Sequence, residues 1–251
     1  MSEGTREMGE MLASASLDIN GEIIAKAALE MGAIQLNPEK PFEWASGYRM
    51  PIYNNNRLFL SYPEYRALVK ESFREILELE GIDHDIIAGT VTAGIPWAAL
   101  LADSFEQPMI YVRDEPKSHG LKTQIEGIDK GSDLGNSRVV LIEDLISTGG
   151  SSARVVQAIR DANGNCVYCL SIFDYGLDMS KEIFGGEKPY DREGHKLEWP
   201  CEVRSLLNYH TLLEVAKSEG HIDDQQSEML EEWRRDPFAW GENHGFPRVE
   251  R

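Results

Sequence analysis

Residues 138–153 read Arg138-Val139-Val140-Leu141-Ile142-Glu143-Asp144-Leu145-Ile146-Ser147-Thr148-Gly149-Gly150-Ser151-Ser152-Ala153. Four consecutive apolar residues, Val139 to Ile142, run into paired carboxylates and then into a small turn of Ser, Thr and Gly. An apolar run of that length, bounded by turn residues, predicts a strand buried on both faces of a parallel sheet. The residues beyond predict a helix capped by Ser151 or Ser152. A turn between the carboxyl end of a strand and the start of a helix offers backbone N–H groups, hydroxyls and a positive helix end to a phosphate. Glu143 and Asp144 then need something between themselves and that phosphate, because adjacent negative charges repel. A ribose meets the need: its vicinal 2′ and 3′ hydroxyls donate to the two carboxylates while the turn holds the 5′ phosphate. On these residues alone an ordinary strand-turn-helix junction with solvated acids stays open. The turn lacks both the G-x-G-x-x-G pattern of dinucleotide sites and the Gly-Lys-Ser/Thr ending of nucleoside triphosphate sites.

Outward from this stretch, helical and extended patterns alternate. Gly21 to Met31 carries Ile23, Ile24, Ala27, Ala28 and Met31 at helical spacing, followed by an extended run from Ala33 to Leu36. Pro63 to Leu79 predicts a second amphipathic helix, with Tyr65, Leu68, Val69, Phe73, Ile76 and Leu77 on one face. Asp85–Gly89 and Pro108–Val112 read as strands separated by a helix over Ile95–Phe105, and a helix over Ser152–Asn163 leads into a strand starting at Cys166. Strands separated by helices predict an α/β fold: a parallel sheet with helices on both faces and ligands at the strands' carboxyl ends. In the carboxyl region, Asn208 reads as the cap of one helix and Asp223 or Asp224 as the cap of another, with Gly241 to Gly245 as a loosely held end.

The formal charge of −18 argues against a nucleic-acid or anionic-membrane partner. No segment approaches the ~20 apolar residues of a membrane span, and the acidic, polar start of the chain does not read as a signal peptide, which together predict a cytoplasmic protein. Cys166 and Cys169 form a C-x-x-C within the strand pattern, where side chains three apart point to opposite faces; they read as small core residues, and Cys201 has no partner near it in sequence.

The connection from Arg113 to Ser137 is longer than ordinary loops, which points to a functional segment. It carries Arg113, Lys117, His119, Lys122 and Lys130, a concentration of cations in a strongly acidic chain. Taken alone, Arg113 and Lys117 also read as solvated surface charges and His119 as a loop histidine without a role; their joint spacing next to a strand end favours a functional loop.

Four segments, in order, resemble the orotate branch of the type I phosphoribosyltransferases. They are Phe42-Glu43-Trp44-Ala45-Ser46-Gly47 with Pro51-Ile52-Tyr53 and Arg57; Gly89-Thr90-Val91-Thr92-Ala93-Gly94-Ile95-Pro96; Arg113-Asp114-Glu115-Pro116-Lys117-Ser118-His119-Gly120; and the acid pair with its turn. The resemblance implies a type I phosphoribosyltransferase-like core with a small hood. It implies transfer of the phosphoribosyl group of phosphoribosyl diphosphate (PRPP) to N1 of orotate, giving orotidine 5′-monophosphate and pyrophosphate in pyrimidine synthesis. It assigns Glu143, Asp144, Leu145, Ile146, Ser147, Thr148, Gly149, Gly150 and Ser151 to PRPP, with Arg113, Lys117 and His119 closing over the pyrophosphate from a loop, residues 113–137, shared across a homodimer. Arg113, Lys117, His119 and Asp144 are its catalytic candidates. Ser147 is placed near the orotate; Tyr53 either covers the pyrimidine or packs as a core tyrosine beside Ile52. Mg2+ is implied as cofactor, held mainly by PRPP and water rather than by protein ligands. The matching organisation is a hood segment over 1–62, a core over 63–176, and a helical segment over 177–251 that packs on the hood.

Several positions depart from the family's commonest pattern. Ala45, Ala93 and Asp114 stand where lysines are frequent, and Tyr175 stands where an arginine commonly meets orotate. Phe173-Asp174-Tyr175-Gly176 and the tail from Leu206 to Pro237 nevertheless resemble one branch of the family. Two other readings remain at this level: a phosphoribosyltransferase for another base, and a PRPP-binding regulator without turnover. The absence of a basic face disfavours a regulator that acts on nucleic acid.

Overall fold

The computed structural model describes residues 3–44, 46–115, 124–129 and 131–249, with side chains from residue 17 onward. In chain order the elements are α1 (Glu3–Glu30), β1 (Ile34–Leu36), β2 (Phe42–Glu43), β3 (Arg49–Met50), β4 (Ile52–Asn54), a 3-10 helix (Asn56–Ser61), α2 (Pro63–Leu79), β5 (Ile86–Thr90), α3 (Ile95–Phe105), β6 (Met109–Val112) and β7 (Ile125–Glu126). They continue with β8 (Arg138–Ile146), α4 (Gly150–Asp161), β9 (Asn165–Asp174), α5 (Asp178–Phe184), β10 (Glu202–Asn208), α6 (Tyr209–Ser218), α7 (Asp224–Arg235) and α8 (Trp240–Asn243).

Six strands form one sheet in the order β10-β9-β8-β5-β6-β7, parallel except for β7, which runs antiparallel to β6. The chain leaves β5 toward β6 and later returns on the other side of β5 as β8, so the winding reverses between these two neighbours. Ligands of open α/β sheets bind in the crevice outside the strand ends at such a reversal. Along β8, Val140 and Ile142 bury into the core under α1, α2, α3 and the hood, whereas Val139 and Leu141 bury into a smaller core under α4 and α5. That alternation, apolar on both faces, is the continuous hydrophobic run of the sequence.

Strand β8 runs four residues beyond Ile142, so both acids are strand residues rather than the start of a turn. Helix α1 starts far ahead of the expected Gly21, because the preceding residues are mostly good helix formers. Its inward face is Ile24, Ala25, Ala27 and Ala28, while Ile23 is exposed; three alanines let the helix lie close to α2, α6 and β10. Asn208 caps α6 through its side-chain oxygen, and Asp223 caps α7 in a reciprocal box with Gln226.

Two expectations are corrected. Cys166 and Cys169 do not face opposite ways: both bury in the smaller core with Cys201. The cause is an irregularity in the β8–β9 ladder, where β9 advances from Asn165 to Tyr168 while β8 advances from Arg138 to Val140. The extra residue resets the alternation. All three thiols are free. The end of the chain is also not loose. Trp240 is buried, its indole N–H donates to the Met229 carbonyl at 3.0 Å, and Phe246 stacks on its ring. Beyond it, the Val249 N–H donates to the Gly47 carbonyl, and the Arg248 guanidinium donates to the Ser46 carbonyl while lying 4.4 Å over Tyr48. These contacts clamp the tail onto the hood.

Candidate active site

A cavity of about 410 Å3 opens at the β5–β8 reversal. Tyr53, Glu143, Asp144, Leu145, Ser147, Thr148, Gly149 and Ser151 all line it. The end of β8 brings the acids to the cavity lining, and the turn that follows it lines the same cavity. Gly149 stands at φ +85, and a Cβ there would meet Ser180 and Phe184 of α5 at 3.1–3.2 Å, so only glycine makes this turn without strain. The turn then enters α4, whose first N–H groups are free of helical acceptors.

The two acids differ in what they touch. Glu143 is almost fully buried; it accepts hydrogen bonds from the Thr90 hydroxyl (2.6 Å), the Ser152 hydroxyl (2.9 Å) and the Asp144 N–H (3.0 Å). Burial first, and the neighbouring charge of Asp144 second, push its carboxyl above the ordinary range. Asp144 is only half-buried and also raised, first by burial, with opposing help from Glu143 and Arg57. Glu143 therefore braces the strand end, and Asp144 is the acid at the cavity surface.

Not every expected residue gathers here. Ile146 is buried in the smaller core, and its carbonyl accepts from the Tyr175 N–H. Gly150 lies off the cavity at the start of α4, under the Tyr190 carbonyl. Arg113 is half-buried, its N–H and carbonyl both engaged by Gln124, and it does not line the cavity. Lys117 and His119 lie outside the described residues, as does Ala45. Asp114, at a frequent lysine position, accepts from the Ser151 hydroxyl (3.0 Å) and the Arg154 guanidinium (3.2 Å), tying the loop's start to the first turns of α4. Tyr53 is exposed on the cavity wall with Phe42 5.8 Å away, so it is not a core tyrosine. Tyr175 is buried among Trp44, Phe173 and Trp233, with ring centroids 5.0–5.9 Å apart. It builds the floor of the hood and offers the cavity no cation.

Sequence reasoning gave no site role to Thr90, Asn54, Asn55 or Asn56, and read Ser152 only as a helix cap. Thr90 closes an apolar strand at its carboxyl end, a position that marks it for a site. Ser152 reads as a helix cap, yet its hydroxyl serves Glu143 and the cap position falls to Gly149. The donors facing the cavity from the acids and the turn are all oxygens, the set Mg2+ takes when it is shared with phosphates and water. Among the described residues one group of close His and carboxylate ligand atoms occurs, Asp191, Glu193 and His195, and it lies outside this cavity. No helix among the described residues is long and apolar enough to cross a membrane.

Residues 59–184 match the model of the phosphoribosyl transferase domain. Orotate phosphoribosyltransferase of Listeria monocytogenes is 42% identical over 219 residues, covering 87% of this chain and 97% of that protein. Among solved structures, UMP synthase of Leishmania donovani superposes with TM-score 0.62 at 26% identity, over 85% of this chain and 42% of that one. Orotate phosphoribosyltransferase from Aeropyrum pernix superposes with TM-score 0.56 at 25% identity, over 76% of this chain and 97% of that one. With the acid pair, the glycine turn and the hood around one cavity, the chain belongs to the orotate phosphoribosyltransferase family.

Proposed function

We propose that this chain transfers the 5-phosphoribosyl group of PRPP to N1 of orotate, releasing pyrophosphate and giving orotidine 5′-monophosphate. The observation that carries the reading is the cavity itself: the glycine turn, the strand-end acid pair and Tyr53 all line it. Ser147 to Ser151 hold the 5′ phosphate through backbone N–H groups and hydroxyls. Asp144, braced by Glu143, accepts from the ribose hydroxyls and steadies positive charge as C1 loosens from pyrophosphate. Orotate enters as C1 opens, so no protein nucleophile is required, and positioning with electrostatics carries the rate. Tyr53 covers the pyrimidine face, and Ser147 lies at its edge. Mg2+, held mainly by PRPP and water, would supply charge neutralisation for the departing pyrophosphate.

The 113–137 loop brings Arg113, Lys117 and His119 over the pyrophosphate of a partner subunit's site, which makes the working unit a homodimer, placed in the cytoplasm. Asp114, anchored on the first turns of α4, fixes where that loop departs. Lys117→Ala is expected to lower kcat at least about tenfold while PRPP binding changes less than threefold, since the lysine meets charge that develops in the transition state. Unchanged turnover in that variant would remove the loop from the chemistry.

The direct test mixes the protein with PRPP and Mg2+ and follows loss of orotate absorbance, with uracil and hypoxanthine in parallel. Consumption of orotate alone supports the assignment. Pyrophosphate release with another base alone rejects the base and keeps the phosphoribosyl chemistry, and PRPP binding with no turnover on any base rejects the enzyme.

A further inference from the structure

We infer that Asn56 is a positioning residue that sets the ribose-facing acid and couples it to the hood. Asn56 opens the 3-10 helix after the hood hairpin and is fully buried, yet it does not line the cavity. Its side-chain N–H donates to the Asp144 carbonyl at 2.6 Å, across 88 positions of sequence. The need for that donor follows from the sheet. The β5–β8 ladder ends at Gly89 and Ile142, because β5 leaves for α3 just beyond. The Ile142 carbonyl is met by the Thr90 hydroxyl at 3.3 Å, and two residues further the Asp144 carbonyl is met by Asn56. A buried carbonyl without a donor is costly, and beyond Ile142 β8 is paired on its β9 edge alone, which leaves its other edge in need of a donor. Asn56 supplies that donor at the residue whose side chain faces the cavity.

The same asparagine belongs to the hood. Its N–H donates to the Asn54 side-chain oxygen at 3.1 Å, Asn54 ends β4, and the next residue, Asn55, donates its N–H to the Ala33 carbonyl. Tyr53 precedes this run by one residue. A shift of the hood hairpin is therefore passed to Asp144 through one amide. The inference rests on the ribose reading above, deepening it by naming what holds the acid in place.

The test is a double-mutant cycle on PRPP binding, measured by calorimetry for the wild type, Asn56→Ala, Asp144→Ala and the double variant, with Tm recorded for each. Asn56→Ala is expected to weaken PRPP binding about tenfold, the size of one lost buried hydrogen bond. Asn56→Ser, which keeps a donor, recovers part of the loss and carries the cycle if the alanine variant does not fold. In the Asp144→Ala background, loss of Asn56 is expected to change PRPP binding less than about twofold. Equal losses in both backgrounds, or unchanged binding in the single variant, would overturn the positioning role and leave only a packing role. Orotate turnover by the wild type is read separately. If orotate is consumed while the cycle shows no coupling, this inference alone fails; if another base is used while the cycle still couples, only the base assignment fails.

Discussion

Asp144→Ala is expected to lower kcat/KM for PRPP about 10²- to 10³-fold, the loss typical of deleting one preorganised electrostatic group at a transition state. The same variant is expected to be more stable than the wild type, by about 1 kcal/mol or 2–4 °C in Tm. Both effects come from one arrangement. Asp144 adds a charge beside Glu143, which is already buried and already raised, and the folded chain bears that repulsion because the ribose needs the second acceptor. Stability should also depend on pH in a defined direction. A carboxyl raised by folding binds more protons in the folded chain than in the unfolded one, so stability falls as pH rises from the ordinary carboxyl range through the raised value. In Asp144→Ala that fall becomes shallower but persists, since burial is the larger cause and the neighbour the smaller. Thermal melts between pH 4 and pH 9, with PRPP kinetics on the same samples, decide the matter. A variant that keeps its kcat/KM, or that melts lower than the wild type at every pH, contradicts this account of the pair.

What the sequence disclosed about this molecule was what depends on near neighbours along the chain. Helix α3 was readable from Ile95 to Phe105 because Pro96 stands in its first turn and its apolar residues recur at helical spacing. The caps at Asn208 and Asp223 were readable because each serves an N–H three residues on. The β8 run was readable because burial on both faces leaves no polar residue from Val139 to Ile142. What stayed hidden needed a partner from elsewhere. Ser152 has the composition of a cap, and only the fold places Glu143 within reach of its hydroxyl. Ideal strand alternation puts the two cysteines of the C-x-x-C on opposite faces, and an irregular step of β9 against Arg138 and Val140 overturns it. Asn56 sits in a run of three asparagines that looks like any polar turn, and its partner lies far along the chain. Tyr175 read as a substitution in the base site, whereas the aromatic cluster with Trp44 and Trp233 draws it inward.

Gly94→Ala carries the second large effect, and local rules mispredict it. Gly94 has φ −74, a conformation alanine adopts freely, and it caps α3, where exchange of glycine for alanine ordinarily costs no more than about 1 kcal/mol. Space decides otherwise. A Cβ at this position would lie 2.3 Å from the Ile142 carbonyl, 2.4 Å from the Thr90 hydroxyl and 2.7 Å from the Thr90 nitrogen. Two of these atoms are backbone of adjacent strands, so relief requires β5 and β8 to move apart at the level of the acids. The expected loss is about 2–3 kcal/mol, or roughly 5–10 °C in Tm, the range of an overpacked core site. Because the displaced hydroxyl is the one that holds Glu143, kcat/KM for PRPP should fall about 10²-fold in the fraction that remains folded, as misplacements near 1 Å do. Gly81→Ala supplies the contrast: its φ is +63 and nothing lies within 4 Å of a Cβ there, so it should lose about 1 kcal/mol from backbone strain with PRPP kinetics intact. If both variants lose stability equally and neither alters PRPP kinetics, then Thr90 and Glu143 do not link the sheet to the ribose site. If Gly94→Ala alone loses both, the close approach of two strand ends is what keeps the acids in register with the turn that follows them.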